Sequence, residues 1–235
     1  MRLDKFLVAA GCGSRKEVKK YCKDKRIAVD GILAKKSDQK IDEKNSTVTL
    51  DGKKIEYREF IYIMMNKPAG VLSATIDRYN RTVIDLLSPE LQKRGLFPVG
   101  RLDLDTEGLL LLTDDGEMSH RLLSPNKKVP KTYYVKALKN VEHEDINRFN
   151  TGLDLGDFQT APAEYIAETE KSGYLTITEG KFHQVKRMFK ATCNKVLYLK
   201  RVSMAGLTLD PNLMPGRYRE LTEEEIESLY HIVTN

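Results

Sequence analysis

The sequence predicts an α+β protein of two domains, a small basic one over residues 1–58 and a larger one over residues 59–235 built on a mixed, mainly antiparallel sheet. Three observations carry this. Positive charge is segregated: residues 1–58 hold 16 Lys and Arg against 9 Asp and Glu, a net +7, while the remaining 177 residues hold 23 against 25, a net −2, which restores the chain's +5. Within the first segment, short capped helices give way to tight-turn signals. From Glu59 onward, strand and helix patterns mix without the regular strand–helix–strand alternation of a parallel sheet.

The chain of 235 residues is 40% hydrophobic and 31% charged, the balance of a globular and not a disordered protein. No apolar run approaches the roughly 18 residues of a membrane span. The start, Met1-Arg2-Leu3-Asp4-Lys5, lacks the apolar centre of a signal peptide. Cys12, Cys22 and Cys193 show neither paired nor metal-type spacing, and four histidines supply a metal cluster poorly. A reducing, cytoplasmic location without metal is therefore expected. No extra hydrophobic element suggests oligomerisation, so a monomer is expected. The charge asymmetry favours a nucleic-acid partner for the first domain over a merely solvated basic face.

Leu3, Phe6, Leu7 and Ala10 fall on one face of a short helix, stopped by Gly11-Cys12-Gly13. Ser14 with Glu17 three residues later is a capping box, opening a second helix to about Asp24. Val18, Tyr21 and Cys22 turn inward there, and Arg15, Lys16, Lys19, Lys20 and Lys23 form the outer face. Ile27-Ala28-Val29 before Asp30-Gly31, and Val48-Thr49-Leu50 before Asp51-Gly52, read as strands entering tight turns. Leu3-Asp4-Lys5-Phe6-Leu7, Gly11, Ser14-Arg15 and Val29-Asp30-Gly31 together resemble the RNA-binding domain named after ribosomal protein S-four. Asp30 stands where members often carry Asn, a departure that keeps the turn chemistry.

In the second domain, Phe60 to Met65 is a β-rich apolar run ended by the turn signal Asn66-Lys67-Pro68-Ala69-Gly70. Leu109–Thr113, closed by Asp114-Asp115-Gly116, reads as a buried strand, and Thr132–Ala137 and Tyr174–Thr178 as further strands. Helices are expected over Val83–Leu87, Glu142–Asn150 and Phe182–Thr192, the last with Val185, Met188, Phe189 and Thr192 on one face. Thr222 and Glu225 cap a final helix.

The most informative stretch is Gly100-Arg101-Leu102-Asp103-Leu104-Asp105-Thr106-Glu107-Gly108, followed by Leu109-Leu110-Leu111-Leu112-Thr113-Asp114-Asp115-Gly116. It is a charged, glycine-bounded loop mounted before a buried strand, where reactive groups are commonly placed. By residue type alone, Asp103 or Asp105 could equally be a turn residue. As a string, it resembles the signature of the RsuA family of pseudouridine synthases. That resemblance implies Asp103 as the catalytic aspartate, with Asp105 at a variable position.

Three further blocks agree in order and spacing. Lys67-Pro68-Ala69-Gly70-Val71-Leu72-Ser73 resembles the family's first motif, which implies Lys67, Pro68 and Gly70 as the active-site floor. Lys131-Thr132-Tyr133-Tyr134-Val135 resembles its Lys-x-Tyr strand, mapping the active-site tyrosine to Tyr133; alternation sends Tyr134 to the opposite face. Glu179-Gly180-Lys181-Phe182-His183-Gln184-Val185-Lys186-Arg187-Met188-Phe189 resembles the third motif, making Lys186 the positive partner of Asp103, often Arg in the family. Arg101 would fill the gap left by a flipped base. Lys181, Arg187 and Lys190 are either phosphate contacts or a solvated face, and His183 binds backbone or caps the helix.

The implied reaction is exchange of a uracil glycosidic bond from nitrogen to carbon, needing no cofactor, on ribosomal RNA. Attack of Asp103 at the ribose and at the uracil ring both stay open. The third motif and Pro215-Gly216-Arg217-Tyr218-Arg219-Glu220-Leu221-Thr222 look closest to the branch acting on small-subunit (16S) RNA. The alternatives are a sister enzyme acting on large-subunit (23S) RNA and a non-catalytic RNA-binding or ribosome-assembly factor. A P-loop NTPase is excluded because no Gly-x-x-x-x-Gly-Lys-Ser/Thr string occurs.

Overall fold

The computed structural model describes residues 1–43, 45–55 and 59–234. The chain divides into two compact units, one of Met1–Ile61 with Ser88–Gly95 and one of Tyr62–Leu87 with Leu96–Asn235. The domain end expected at Arg58 lies outside the described residues.

The first unit contains α1 (Leu3–Ala9), α2 (Arg15–Lys23), β1 (Ile27–Val29), β2 (Ile32–Leu33), β3 (Val48–Leu50), β4 (Lys53–Ile55) and α3 (Pro89–Gln92). Its described strands form a four-stranded sheet in the order β2-β1-β3-β4. The expected capping box is present: Glu17 N–H donates to Ser14 Oγ (3.3 Å), and the Glu17 carboxylate accepts from Ser14 N–H (2.7 Å). Asp30 and Gly31 both have positive φ (52° and 78°), as a two-residue turn matched to strand twist requires. Asp51 and Gly52 repeat that geometry. Leu3, Phe6, Leu7, Val18, Cys22, Ile27 and Val48 make its core, leaving Arg15, Lys16, Lys19 and Lys20 exposed.

The second unit contains β5 (Tyr62–Lys67), β6 (Phe97–Pro98), β7 (Glu107–Thr113), α4 (Gly116–Leu123), β8 (Lys131–Ala137), α5 (His143–Thr151), β9 (Glu164–Thr169), β10 (Ser172–Ile177), α6 (Gln184–Ala191), β11 (Val196–Met204), β12 (Leu207–Thr208), β13 (Tyr218–Glu220) and α7 (Glu223–Thr234). Its described strands form one nine-stranded sheet, with the path β13-β5-β7-β11-β8-β10-β9 and β6 and β12 paired to β7 and β11. Only the β7–β11 pair is parallel among these, so the sheet is mixed and mainly antiparallel, as the sequence predicts. Tyr62, Met64, Leu109 and Leu111 pack with Met118 and Leu122 of α4 and Leu229 and Val233 of α7 in one core. Phe149 of α5 and Phe189 of α6 meet Tyr165 of β9 in an aromatic cluster, ring centroids 5.2–6.2 Å apart.

Three local expectations change. Asn66 and Lys67 belong to β5 and are buried, not part of a turn. The helix expected over Val83–Leu87 is a single 3-10 turn at Ile84–Leu86. Asp115, read as closing a turn, accepts from Met118 N–H (2.9 Å) and so caps α4. At the other end, Thr222 and Glu225 make the expected reciprocal cap of α7, at 2.9 and 3.2 Å.

Candidate active site

A cavity of about 430 Å³ opens in the second unit between the Gly100–Thr106 loop, the β8–β10–β11 face and the segment leading into α6. The loop on its rim is fixed from behind by the Lys67–Ser73 segment. Lys67 is fully buried and its Nζ donates to the carbonyls of Pro68 (2.9 Å), Leu104 (3.3 Å) and Thr106 (2.8 Å). Gly70 N–H, in a left-handed conformation (φ 79°), donates to Leu104 O at 2.8 Å. Ser73 Oγ donates to Leu102 O and accepts from Leu102 N–H, both at 3.0 Å. Lys67, Pro68 and Gly70 therefore lie behind the loop and not on the cavity wall. Burial lowers the Lys67 pKa from 10.5 to about 8, against the opposing pull of Asp105, Glu107 and Asp103.

At the loop's turn, Thr106 N–H donates to Asp103 O (3.1 Å), and the Asp103 side chain faces α6. Lys186 Nζ stands 2.8 Å from Asp103 and 2.6 Å from Asp105. The Asp103 and Lys186 side chains are about a quarter exposed, whereas Asp105 is 73% exposed. Burial works against the Lys186 charge, but hydrogen bonds to both carboxylates and their attraction hold its pKa above the ordinary value. Asp105 is lowered, first by its hydrogen bond from Lys186. His183 Nε2 lies 3.5 Å from Asp103.

Tyr133 lies across the cavity, buried at 7% exposure, in register with Leu175 of β10 and Arg201 of β11. Tyr134 points the other way, its hydroxyl donating to Glu168 (2.9 Å) and its ring beside Tyr174 and Tyr198. Arg101 and Lys181 are exposed on the cavity lining. Arg187 is absent from that lining: its guanidinium pairs with Asp157, donates to Leu155 O (2.9 Å) and stands over Phe158. The expected phosphate contact at Arg187 is thus committed to the 155–158 loop.

Two buried cations on the cavity lining, Lys131 and Arg201, are not among the expected site residues. Lys131, two positions before Tyr133 and so on the same strand face, donates to Val129 O (2.8 Å); burial lowers its pKa from 10.5 to about 8, reinforced by Arg201. Arg201 is 2% exposed and donates through Nε to Leu109 O at 2.8 Å. Strand alternation from Tyr133 would have found Lys131. Arg201 sits in a strand whose Lys200-Arg201 centre hides its apolar pattern.

A carboxylate held beside an ammonium at the lip of a half-apolar cavity can attack an electrophilic carbon, and the aromatic wall can take a planar base. Among the described residues, no group of three or more His, Cys, Asp or Glu is gathered to hold a metal, and no helix is long and apolar enough to cross a membrane.

Comparison with known proteins gives a consistent answer. Residues 61–191 match the family model described as RNA pseudouridylate synthase, and residues 1–46 match the S-four domain model. The chain is 54% identical to an uncharacterized RNA pseudouridine synthase of Bacillus subtilis (strain 168), over 97% of this chain and 98% of the relative. It is 44% identical to the ribosomal small subunit pseudouridine synthase A of Vibrio cholerae, over 98% and 100%. A solved structure, described as a crystal structure of pseudouridylate synthase, superposes with a TM-score of 0.70 at 35% identity, covering 97% of this chain and 99% of the other. The matched segment contains Asp103, Tyr133 and Lys186, and the chain belongs to the RNA pseudouridylate synthase family.

Proposed function

We propose that the protein isomerises a uridine of small-subunit (16S) ribosomal RNA to pseudouridine, with Asp103 as nucleophile and without a cofactor. The observation that carries the reading is the Asp103–Lys186 pair, 2.8 Å apart on the rim of a cavity of about 430 Å³ with Tyr133 on its wall. In the reaction the bond from C1′ to N1 breaks, the uracil turns, and a bond from C1′ to C5 forms. C5 loses a proton and N1 gains one, so atoms and electrons balance without an oxidant or phosphoryl donor.

Each side chain has a task in that sequence. Asp103 attacks the nucleotide, and Lys186 compensates and orients its charge. Tyr133 stacks on the flipped base, while Leu102, Ile177, Val185 and Leu199 give it dry walls. Arg101 fills the gap left in the RNA and meets phosphate. Arg15, Lys16, Lys19 and Lys20 form one exposed face of α2 that holds RNA through salt-sensitive phosphate contacts. Lys181, at the cavity lining, adds another such contact.

The small-subunit assignment is supported by the full-length likeness to the Vibrio cholerae relative. We take the protein to act as a monomer in the cytoplasm, where ribosomal RNA is modified. Incubation with separately transcribed small- and large-subunit RNA, followed by site-resolved mapping, tests the substrate. Pseudouridine at one small-subunit position is expected. Product confined to large-subunit RNA would move the substrate to the sister class, and binding without product on either would replace the enzyme by an RNA-binding assembly factor.

A further inference from the structure

We propose that Phe182 and His183 form a stacking subsite for a nucleobase that neighbours the target uridine in the RNA chain. The proposal rests on RNA being the substrate of the cavity described above.

Phe182 is 77% exposed, and its ring stacks on His183 with centroids 3.8 Å apart and planes 19° from parallel. His183 lines the cavity and reaches to 3.5 Å from Asp103, so the aromatic pair stands beside the reacting carboxylate. The flanking side chains are cationic: Lys181 precedes the pair, Lys186 follows it, and Arg101 lies on the same cavity lining. An open aromatic face among lysines and arginines beside a nucleotide-sized cavity suits a base attached to a phosphate chain, not an apolar partner.

The pair is held in place before any ligand arrives. His183 occupies the N-cap position of α6 without a side-chain capping hydrogen bond, in a left-handed conformation (φ 51°) uncommon for a residue bearing a Cβ. Gln184, buried at 3% exposure, accepts from Lys181 N–H (3.0 Å) and donates to Glu179 (2.8 Å). Glu179 in turn accepts from Ala161 N–H (3.0 Å). Residues 179–184 are thereby tied across the two ends of the loop, and a base meets a preset surface with little ordering cost. Tyr133, on the cavity wall, serves the target base; Phe182 is absent from that lining and, backed by His183 at its edge, serves the next one.

The test is a binding titration of a short single-stranded RNA with one central uridine, and of derivatives made abasic one position at a time. Wild type is compared with Phe182→Ala and Phe182→Trp. Loss of one stacked base weakens binding by about 5- to 150-fold. Wild type should show that loss at one flanking position. Phe182→Ala should show it already on intact RNA and lose nothing more at that position, and Phe182→Trp should bind as wild type does. Equal melting temperatures for the three proteins exclude a folding cause. Overturning results are Phe182→Ala binding within about twofold of wild type, a loss that adds at every abasic position alike, or coupling to the target base itself. Coupling at a flanking base without any pseudouridine formed would keep the subsite and sink the enzymatic reading instead.

Discussion

Replacing Lys186 by Met keeps an unbranched apolar stem and deletes the charge between Asp103 and Asp105. At 2.8 Å, an ion pair in an effective dielectric of about 20 is bounded near 6 kcal/mol. With 26% and 24% of the two side chains exposed, solvent screens that bound strongly. A charge-assisted hydrogen bond contributes about 1.5–3 kcal/mol, which is the working figure. Lost from the transition state, that energy slows the chemical step by about 10- to 150-fold. Lys186→Arg keeps the charge and can fork between the two carboxylates, so it should recover most of the rate. Asp105→Asn, at a position 73% exposed, should change the rate by less than about threefold. Because C5 must lose its hydrogen, the assay is single-turnover release of tritium from RNA containing 5-tritiated uridine, at saturating enzyme. A Lys186→Met rate within about threefold of wild type, or Lys186→Arg as slow as Lys186→Met, would refute the reasoning.

Three further outcomes are expected. Tyr133→Ala removes the aromatic wall and should abolish detectable turnover, whereas Tyr133→Phe keeps the stack and should bind RNA within about threefold of wild type, read by titration. Lys131→Met should stabilise the fold by about 1–3 kcal/mol at pH 7, since the native pKa near 8 lies below the unfolded 10.5. Below pH 8 both states carry the proton and the burial cost is fully present. It falls away as pH rises towards 10.5, so the gain measured by urea unfolding should shrink over that window. Gly108→Ala should abolish soluble protein, because φ is 102° and an added Cβ would strike the Arg201 carbonyl oxygen and nitrogen across β7–β11; near-normal yield and melting temperature would contradict the register.

Much of this molecule could be read from local rules. Ser14 with Glu17, and Thr222 with Glu225, announce helix starts because the reciprocal cap depends on residues three apart. Asp30-Gly31 and Asp51-Gly52 fix their turns through positive φ alone. Tyr133 and Tyr134 part to opposite faces by alternation, and Val185, Met188 and Phe189 of α6 are buried, as is Thr192 at its C-terminal end. What escaped depends on distant partners. Lys67 is acceptable inside β5 only because three carbonyls from residues 68, 104 and 106 converge on its ammonium. Asp115 is a helix cap because Gly116–Leu123 packs on the sheet, a fact its turn-like sequence hides. Lys186 reaches Asp105 as well as Asp103 because the loop turns both carboxylates toward α6, which spacing does not disclose. Arg187 turns away to Asp157, although its charge and position in the motif suggested RNA.

The central claim is that Asp103 carries out the isomerisation. Site-resolved pseudouridine formation on small-subunit RNA, compared between wild type and Asp103→Asn, tests it most directly. The substitution keeps the side chain's shape while removing its charge, so RNA binding should persist and product at the mapped position should vanish. Product formed by Asp103→Asn at a rate comparable with wild type would contradict the account.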